Sequence, residues 1–392
     1  MSNTLSSAIR APARTTLPFY AATMFTFLAA SGAPTPLYRL YHEAWGVTPA
    51  TLTMVFAIYV VFLLGALLTI GKISDHVGRR PAVFVSLLVE ALAMALFGAA
   101  RSAALLILAR AVQGVATGMA TTALAAAMLD ADKKRGPLVN SLAPLLGMAT
   151  GNLAAGALAT YAPYPLQLTY LLLMAVFLVQ AGLVWTVPET VAPQSGALAS
   201  LRPQLAVPPQ ARRALLLVSP SNIALWAWGG FYLSLMPSLV REVTGVSSAL
   251  LGCLVVSILM FSGAGAILAL GGREPRRVLP VGMATMIAGV LILLEGVALR
   301  SLPVMAAGSL VGGFGFGAGF LGSLRLLMPL AEPHQRAALM AVYYTESYLT
   351  FCIPAVAAGF IAQAVGLAGA IQLYGAAIVL LGLGGLAAAR RI

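Results

Sequence analysis

The charges in this chain are spaced in a way that leaves few folds open to it. A helix needs about 20 mostly apolar residues to cross a hydrocarbon layer. Runs of that length recur along all 392 residues, separated by short polar breaks. Cutting at the charges and Pro/Gly clusters predicts twelve spans, at 17–36, 51–70, 82–100, 103–128, 138–160, 166–187, 214–236, 246–270, 278–298, 302–328, 337–361 and 366–388. Two pairs, 138–160 with 166–187 and 337–361 with 366–388, are joined by uncharged turns. They are separated on length and on Pro163, Pro165 and Gly366. Only 9% of residues are charged, against about 25% in a soluble domain, too few to cover a water-facing surface. The expected class is an all-α integral membrane protein.

The net charge of +12 suggests nucleic acid only until the basic residues are placed. With the N-terminus set in the cytoplasm, seventeen of the 23 fall in inward-facing breaks. Arg39, Arg101, Arg241 and Arg300 fall in outward-facing breaks, and Arg110 and Arg325 lie within spans. This bias is a topology signal that places both termini in the cytoplasm and supports an even number of spans. No nucleic-acid partner is expected. The basic tail at 1–16 precedes an apolar run too long for a signal-peptide core, so that run is read as the first span. Cys253 and Cys352 sit in apolar segments and read as packing residues. His42, His76 and His334 lie in breaks without ligand spacing, so neither a metal site nor a cofactor is expected.

The longest inward break, 189–213, is rich in proline and polar residues. It is read as a loose tether, with an amphipathic surface segment as the alternative. It divides the chain into a cytoplasmic N-terminus (1–16), a six-span half (17–188), the linker (189–213) and a second six-span half (214–389). The halves carry a faint repeat. Aligning Gly114 of "RAVQGVATG" with Gly313 of "SLVGGFGFG" brings Gly118 onto Gly317 and Arg110 onto Ser309. Internal repeats around a central site are common in secondary transporters, although small residues four apart also serve helix packing alone.

The stretch "GKISDHVGRRP" places Gly71, Asp75, Gly78, Arg79 and Arg80 at the spacing G-x3-D-x2-G-R-R. Glycines permit a tight turn, an acid can meet a helix N-terminus, and arginine can hold carboxylates in a fork. The alternative is that Lys72, Arg79 and Arg80 merely anchor topology. The spacing resembles the signature of the major facilitator superfamily in the cytoplasmic turn between helices two and three. "RAVQG" (Arg110, Gln113) resembles that family's helix-four motif, and "PET" at 188–190 the ending of its helix six. The resemblance implies two pseudo-symmetric six-helix bundles. It also implies that Asp75 faces the start of helix eleven near Arg336–Ala337, and that Arg79 pairs with Asp75 and with Asp130 at the end of helix four. These residues, with Gly71, Gly78 and Arg80, would form a conformational latch. Helix five departs from the family's antiporter pattern, because "APLLGMATGNLAAG" has no Gly-Pro pair and Pro144 is displaced. Helix one lacks the acid that many proton-driven exporters carry.

Five ionisable residues fall within spans, where they are costly and tend to be functional: Glu90, Arg110, Glu295, Arg325 and Glu346. By resemblance Arg110 faces a central cavity and helix one, influencing proton affinity or binding substrate. The alternative is a purely structural arginine bonded to helix-one carbonyls. Glu346, among Tyr343, Tyr344 and Tyr348, could carry a proton, receive a cation whose charge meets the tyrosine faces, or pair with Arg325. Arg325 could instead belong to the cytoplasmic gate. Glu90 and Glu295 lie on helices that support the bundle in the family, where buried hydrogen bonding is the plainer reading and proton coupling the other. Tyr20, Trp226, Tyr232, Tyr344 and Tyr348 are candidate cavity-lining aromatics. Asn152 is one of few amides in the spans.

Together these readings predict a monomeric, non-enzymatic secondary transporter of the inner membrane that exports a small amphiphilic compound in exchange for protons. A proton symporter importing a metabolite is the alternative, and a non-transporting membrane receptor a third. An enzyme would need a nucleophile–base pair or metal cluster at membrane depth, and an ATP-driven pump a P-loop. Neither is present in the sequence.

Overall fold

The computed structural model describes residues 14–203, 205–245, 248–332 and 335–391. Arg10, His334 and most of the basic N-terminal tail lie outside the described residues. All regular elements among these residues are helical. The α-helices are α1 (Thr16–Gly32), α2 (Tyr38–Trp45), α3 (Pro49–Thr69), α4 (Ile73–Val77), α5 (Arg79–Gly98), α6 (Ala103–Ala131), α7 (Gly136–Tyr161), α8 (Pro165–Leu183), α9 (Pro209–Ser234), α10 (Met236–Thr244), α11 (Ala249–Leu270), α12 (Pro275–Ala298), α13 (Leu302–Leu327) and α14 (Arg336–Ala389).

Ten of these are long and apolar enough to cross a membrane. The last, α14, has 54 residues and is broken at Gly366, whose φ of 75° and ψ of 166° no helix interior contains. Counting α14 as two and adding the 17-residue α1 gives the twelve crossing segments expected from sequence. The charge breaks set most of the boundaries. Proline stands in the first turn of α8, α9, α12 and α13, where its missing N–H is no loss.

Two elements were not anticipated. The short helices α2 and α10 follow α1 and α9 at corresponding places in the repeat, and each ends on a left-handed glycine, Gly46 (φ 64°) and Gly245 (φ 72°). The linker also differs from expectation over its first part, which is not a loose tether. Gln194 N donates to His76 O at 2.8 Å, and His76 Nδ1 bonds Ser195 O at 3.1 Å. These bonds fasten the chain just after the sixth span onto the turn around α4.

The chain forms two compact units. Unit 1 comprises 1–32, 58–151 and 162–203, and unit 2 comprises 33–57, 152–161 and 204–392. In unit 1, α5 packs on α6 and α8, and α1 packs on α6. In unit 2, α9 packs on α14, and α13 packs on α11 and α12. α12 and α13 meet through glycines. A Cβ on Gly282 would fall 2.8 Å from the Cα of Gly319, and one on Gly296 would fall 2.6 Å from Met305 N.

The repeat aligned in the sequence has a packing counterpart in each unit. A Cβ on Gly118 would collide with Leu63 O of α3, and one on Gly317 would collide with Gly263 O of α11. Gly114 and Gly313 stand likewise over Tyr59 O and Leu259 O. Only hydrogen fits at these four positions, so the backbones can approach closely.

Candidate functional site

The polar turn of unit 1 is built around Arg79, the first residue of α5. Its guanidinium is 8% exposed and reaches three acceptors. Nε donates to Asp130 Oδ2 at 3.0 Å, and Nη1 donates to Ser74 Oγ at 2.7 Å and to Asp75 Oδ1 at 2.5 Å. Asp130 also accepts from Thr190 Oγ1 at 3.2 Å. Asp75 is 56% exposed, so water screens its attraction to Arg79. Gly71 packs against α6, where a Cβ would fall 3.2 Å from Thr122 Cγ2.

The sequence reading missed the role of Glu189 in this cluster. Its Oε1 accepts from Arg79 N at 2.9 Å and its Oε2 from Arg80 N at 3.0 Å. The carboxylate therefore caps α5, meeting two of the donors that every helix start leaves open. Arg80 lies over the Trp185 ring at 5.0 Å and donates to Trp185 O at 2.9 Å. "PET" was recognised only as an ending, because nothing local shows that its acid reaches back 110 residues.

A second cluster lies inside unit 1. Arg110 is 1% exposed, and Gln113 and Glu90 are fully buried. Arg110 Nη1 donates to Gln113 Oε1 at 2.7 Å and to Ser31 O at 3.2 Å. Gln113 Nε2 donates to Glu90 Oε1 at 3.0 Å and to Ala30 O at 3.2 Å. Arg110 also stands over the rings of Tyr59 and Phe97, at 5.2 and 5.8 Å, and Tyr59 OH donates to Ser31 Oγ at 2.9 Å. One amide thus links a buried cation on α6 to a buried carboxyl on α5, and the cation and the amide both hold the end of α1. Glu90 and Arg110, considered apart in the sequence, belong to one network.

Unit 2 carries the third cluster. Trp226 makes ring contacts with Phe320, Tyr344, Tyr348 and Phe351 at 6.2, 6.4, 5.2 and 5.7 Å. On the same stretch of α14, Glu346 accepts from Asn222 Nδ2 at 2.9 Å, and Asn222 also bonds Ser347. Trp226, Tyr344, Glu346 and Tyr348 are all part-exposed. The result is an aromatic wall with a fixed carboxylate beside it.

The remaining candidates lie elsewhere. Arg325 does not pair with Glu346; its Nη1 donates to Gly271 O and Arg273 O at 2.8 and 3.0 Å, closing the end of α11. Glu295 is exposed in the last turn of α12. Tyr20 and Tyr232 were expected to line a cavity, yet both have zero exposure. Tyr232 instead bonds Ser309 at 2.8 Å, so the residue aligned with Arg110 in the repeat also ties its helix to the one corresponding to α1.

Similarity to known proteins agrees with this architecture. The family model described as Major Facilitator Superfamily matches residues 19–273. Multidrug resistance protein MdtL of Shewanella sp. (strain ANA-3) is 31% identical over 116 residues, a match covering 28% of this chain and 29% of that protein. Among solved structures, the peptide transporter POT in complex with sulfate aligns over 99% of this chain and 97% of its own, with a TM-score of 0.77 and 14% identity. Nucleoside transporter NupG aligns over 95% and 99%, with a TM-score of 0.75 and 11% identity. The human organic anion transporter TETRAN covers the same shares, with a TM-score of 0.71 and 17% identity. At these identities the likeness to the solved structures is one of fold. With a family model matched over more than half its length, this chain belongs to the Major Facilitator Superfamily, a family of multi-pass membrane transporters rather than enzymes.

Proposed function

We propose that the chain is a proton-coupled secondary transporter that exports a small amphiphilic compound. It works as a monomer in the inner membrane, with both termini cytoplasmic and two six-helix halves, 17–188 and 214–389, alternately exposing the substrate to either side. The observation that carries this reading is the Glu90–Gln113–Arg110 network. An ionised carboxyl buried in a span is costly unless compensated. Glu90 has two ways out: it can take a proton, or it can lean through Gln113 on the charge of Arg110. A group balanced between those options suits proton coupling. Glu346 is the second candidate carrier.

The cluster around Arg79 supports a latch role on the cytoplasmic side. The Trp226 wall beside Glu346 suits an amphiphilic substrate. Export is favoured by the likeness to a protein named for multidrug resistance. The test is a growth and accumulation screen in an exporter-deficient host, followed by proton-flux measurements in everted vesicles. Glu90→Gln and Glu346→Gln are run beside the parent. Substrate-driven proton movement in the parent, lost in Glu90→Gln at equal membrane insertion, supports the reading. Proton movement in the importing sense would make the protein a symporter, and no substrate-driven movement with any cargo would leave a receptor.

A further inference from the structure

Unit 2 includes two pieces from the first half of the chain, Ala33–Ala57 and Asn152–Tyr161. Under the orientation proposed above, both lie toward the outer face. They meet the second half through contacts of ordinary kinds. Thr35 Oγ1 donates to Leu233 O at 2.9 Å, and Arg241 pairs with Glu43 at 3.3 Å with both groups well exposed. Phe56 and Phe351 stand 5.2 Å apart, and Thr53 fills the space above Gly359. An exposed ion pair contributes little, and the apolar contacts set no particular register.

Asn152 on α7 is different. It is fully buried. Its Nδ2 donates across to α11, to Cys253 O at 3.0 Å and to Ser257 Oγ at 3.4 Å. Its Oδ1 is buried and accepts no hydrogen bond among the described residues. One turn on, a Cβ at Gly156 would fall 3.0 Å from Cys253 Sγ, so the two helices meet closely here.

From this geometry we propose that Asn152 is a releasable tie in an outer seal between α7 and α11. The Nδ2 bonds hold the helices together. The unpaired Oδ1 keeps the closed arrangement from being too favourable, because a half-satisfied buried amide regains a full set of partners once water reaches it. Both effects act on one side chain, so the tie is firm enough to close and weak enough to open. This inference rests on the alternating exposure and the orientation proposed above.

The two halves of the proposal predict opposite outcomes for two variants. Asn152→Ala removes the donor and the packing and should open the seal. Asn152→Leu replaces the amide with apolar volume that prefers burial and should hold the seal shut. An interhelical side-chain hydrogen bond in a membrane protein is worth about 3- to 20-fold in population.

Cys253 is a natural reporter, since the chain has two cysteines and both are buried. In a Cys352→Ala background, Cys253 is labelled with a membrane-impermeant maleimide in intact cells and, separately, in inside-out vesicles. The expected result is labelling from the outside that rises about 3- to 20-fold in Asn152→Ala and falls below the parent in Asn152→Leu, at equal insertion. Equal labelling in all three proteins, or faster labelling in Asn152→Leu, overturns the tie while leaving the orientation intact. Labelling only in inside-out vesicles overturns the orientation and the outer seal with it.

Discussion

Gly78 stands directly beneath the carboxylate of Glu189. Its φ of +98° is open to glycine, and a Cβ there would fall 2.7 Å from Glu189 Oε2. The turn signature and the sixth-span ending are therefore two sides of one cap. Gly78→Ala should cost about 1–3 kcal/mol from backbone strain alone, and the clash adds to it. Glu189→Ala should cost about 1 kcal/mol as a lost cap. Because removing Glu189 also removes the clash, the double variant should be more stable than the sum of the two losses implies. Thermal unfolding of the purified proteins in detergent measures all three, and strict additivity would show that the two residues do not meet.

Arg79 should not tolerate lysine. Nε and Nη1 serve Asp130, Ser74 and Asp75 at once, a fork that a single ammonium cannot reproduce. If this cluster is the cytoplasmic latch, Arg79→Lys should lower transport by about tenfold or more at unchanged membrane abundance. Asp75→Asn should do less, because Asp75 is half in water. Transport and membrane content are read in the same cells, and near-normal transport by Arg79→Lys would reduce the cluster to a topology anchor.

The glycines give a contrast within one residue type. Gly118 and Gly317 each press on a neighbouring backbone carbonyl, whereas an added Cβ on Gly384 in α14 meets nothing within 4 Å. Gly118→Ala and Gly317→Ala should each cost about 1–3 kcal/mol by overpacking. Gly384→Ala should be neutral or stabilising by up to about 1 kcal/mol, since it only restricts the unfolded chain. Unfolding midpoints separate the two classes, and a stabilised Gly317→Ala would contradict the close approach of α13 and α11.

The spans were legible because the membrane forbids charge in long runs, so the sequence marks its own boundaries. Gly366 was legible for the same kind of reason: a break was needed by length, and a glycine stood where the two spans had to divide. α2 and α10 were not, because eight or nine amphipathic residues in a break resemble a polar loop. The clusters were only half legible. Charge inside a span drew attention to Glu90, Arg110 and Glu346, and the helix-one carbonyls read as one alternative for Arg110 include its Ser31 acceptor, but the amides that hold the two carboxyls were not placed against them. Gln113 lies 23 residues from Glu90, and Asn222 lies 124 residues from Glu346. Such pairings follow from how helices turn toward one another, and no single segment carries that information. Tyr20 and Tyr232 failed as cavity residues because an aromatic suits packing and lining equally.

Asp132, one residue past α6, holds the turn into α7. Its Oδ1 accepts from Lys134 N and Arg135 N, each at 2.8 Å. Those two amides keep its carboxyl below the usual carboxylate range, helped by the Arg135 and Lys134 charges. A lowered folded value means the turn's contribution is complete above the unfolded value of about 3.9 and disappears as pH falls through the lower folded value. Hydrogen exchange of a peptide covering residues 131–136, corrected for intrinsic rates, should therefore show protection at Lys134 and Arg135 that is flat from about pH 5 to 8 and fades only in stronger acid. Asp132→Ala should lose that protection at every pH, with trypsin cutting faster at the Lys133–Arg135 bonds in everted vesicles. Because the Asp132 carboxyl bonds only the amides of its own turn and none of the cluster side chains, transport should be affected far less than protection. A variant that kept full protection would mean that the helix ends alone fix the turn.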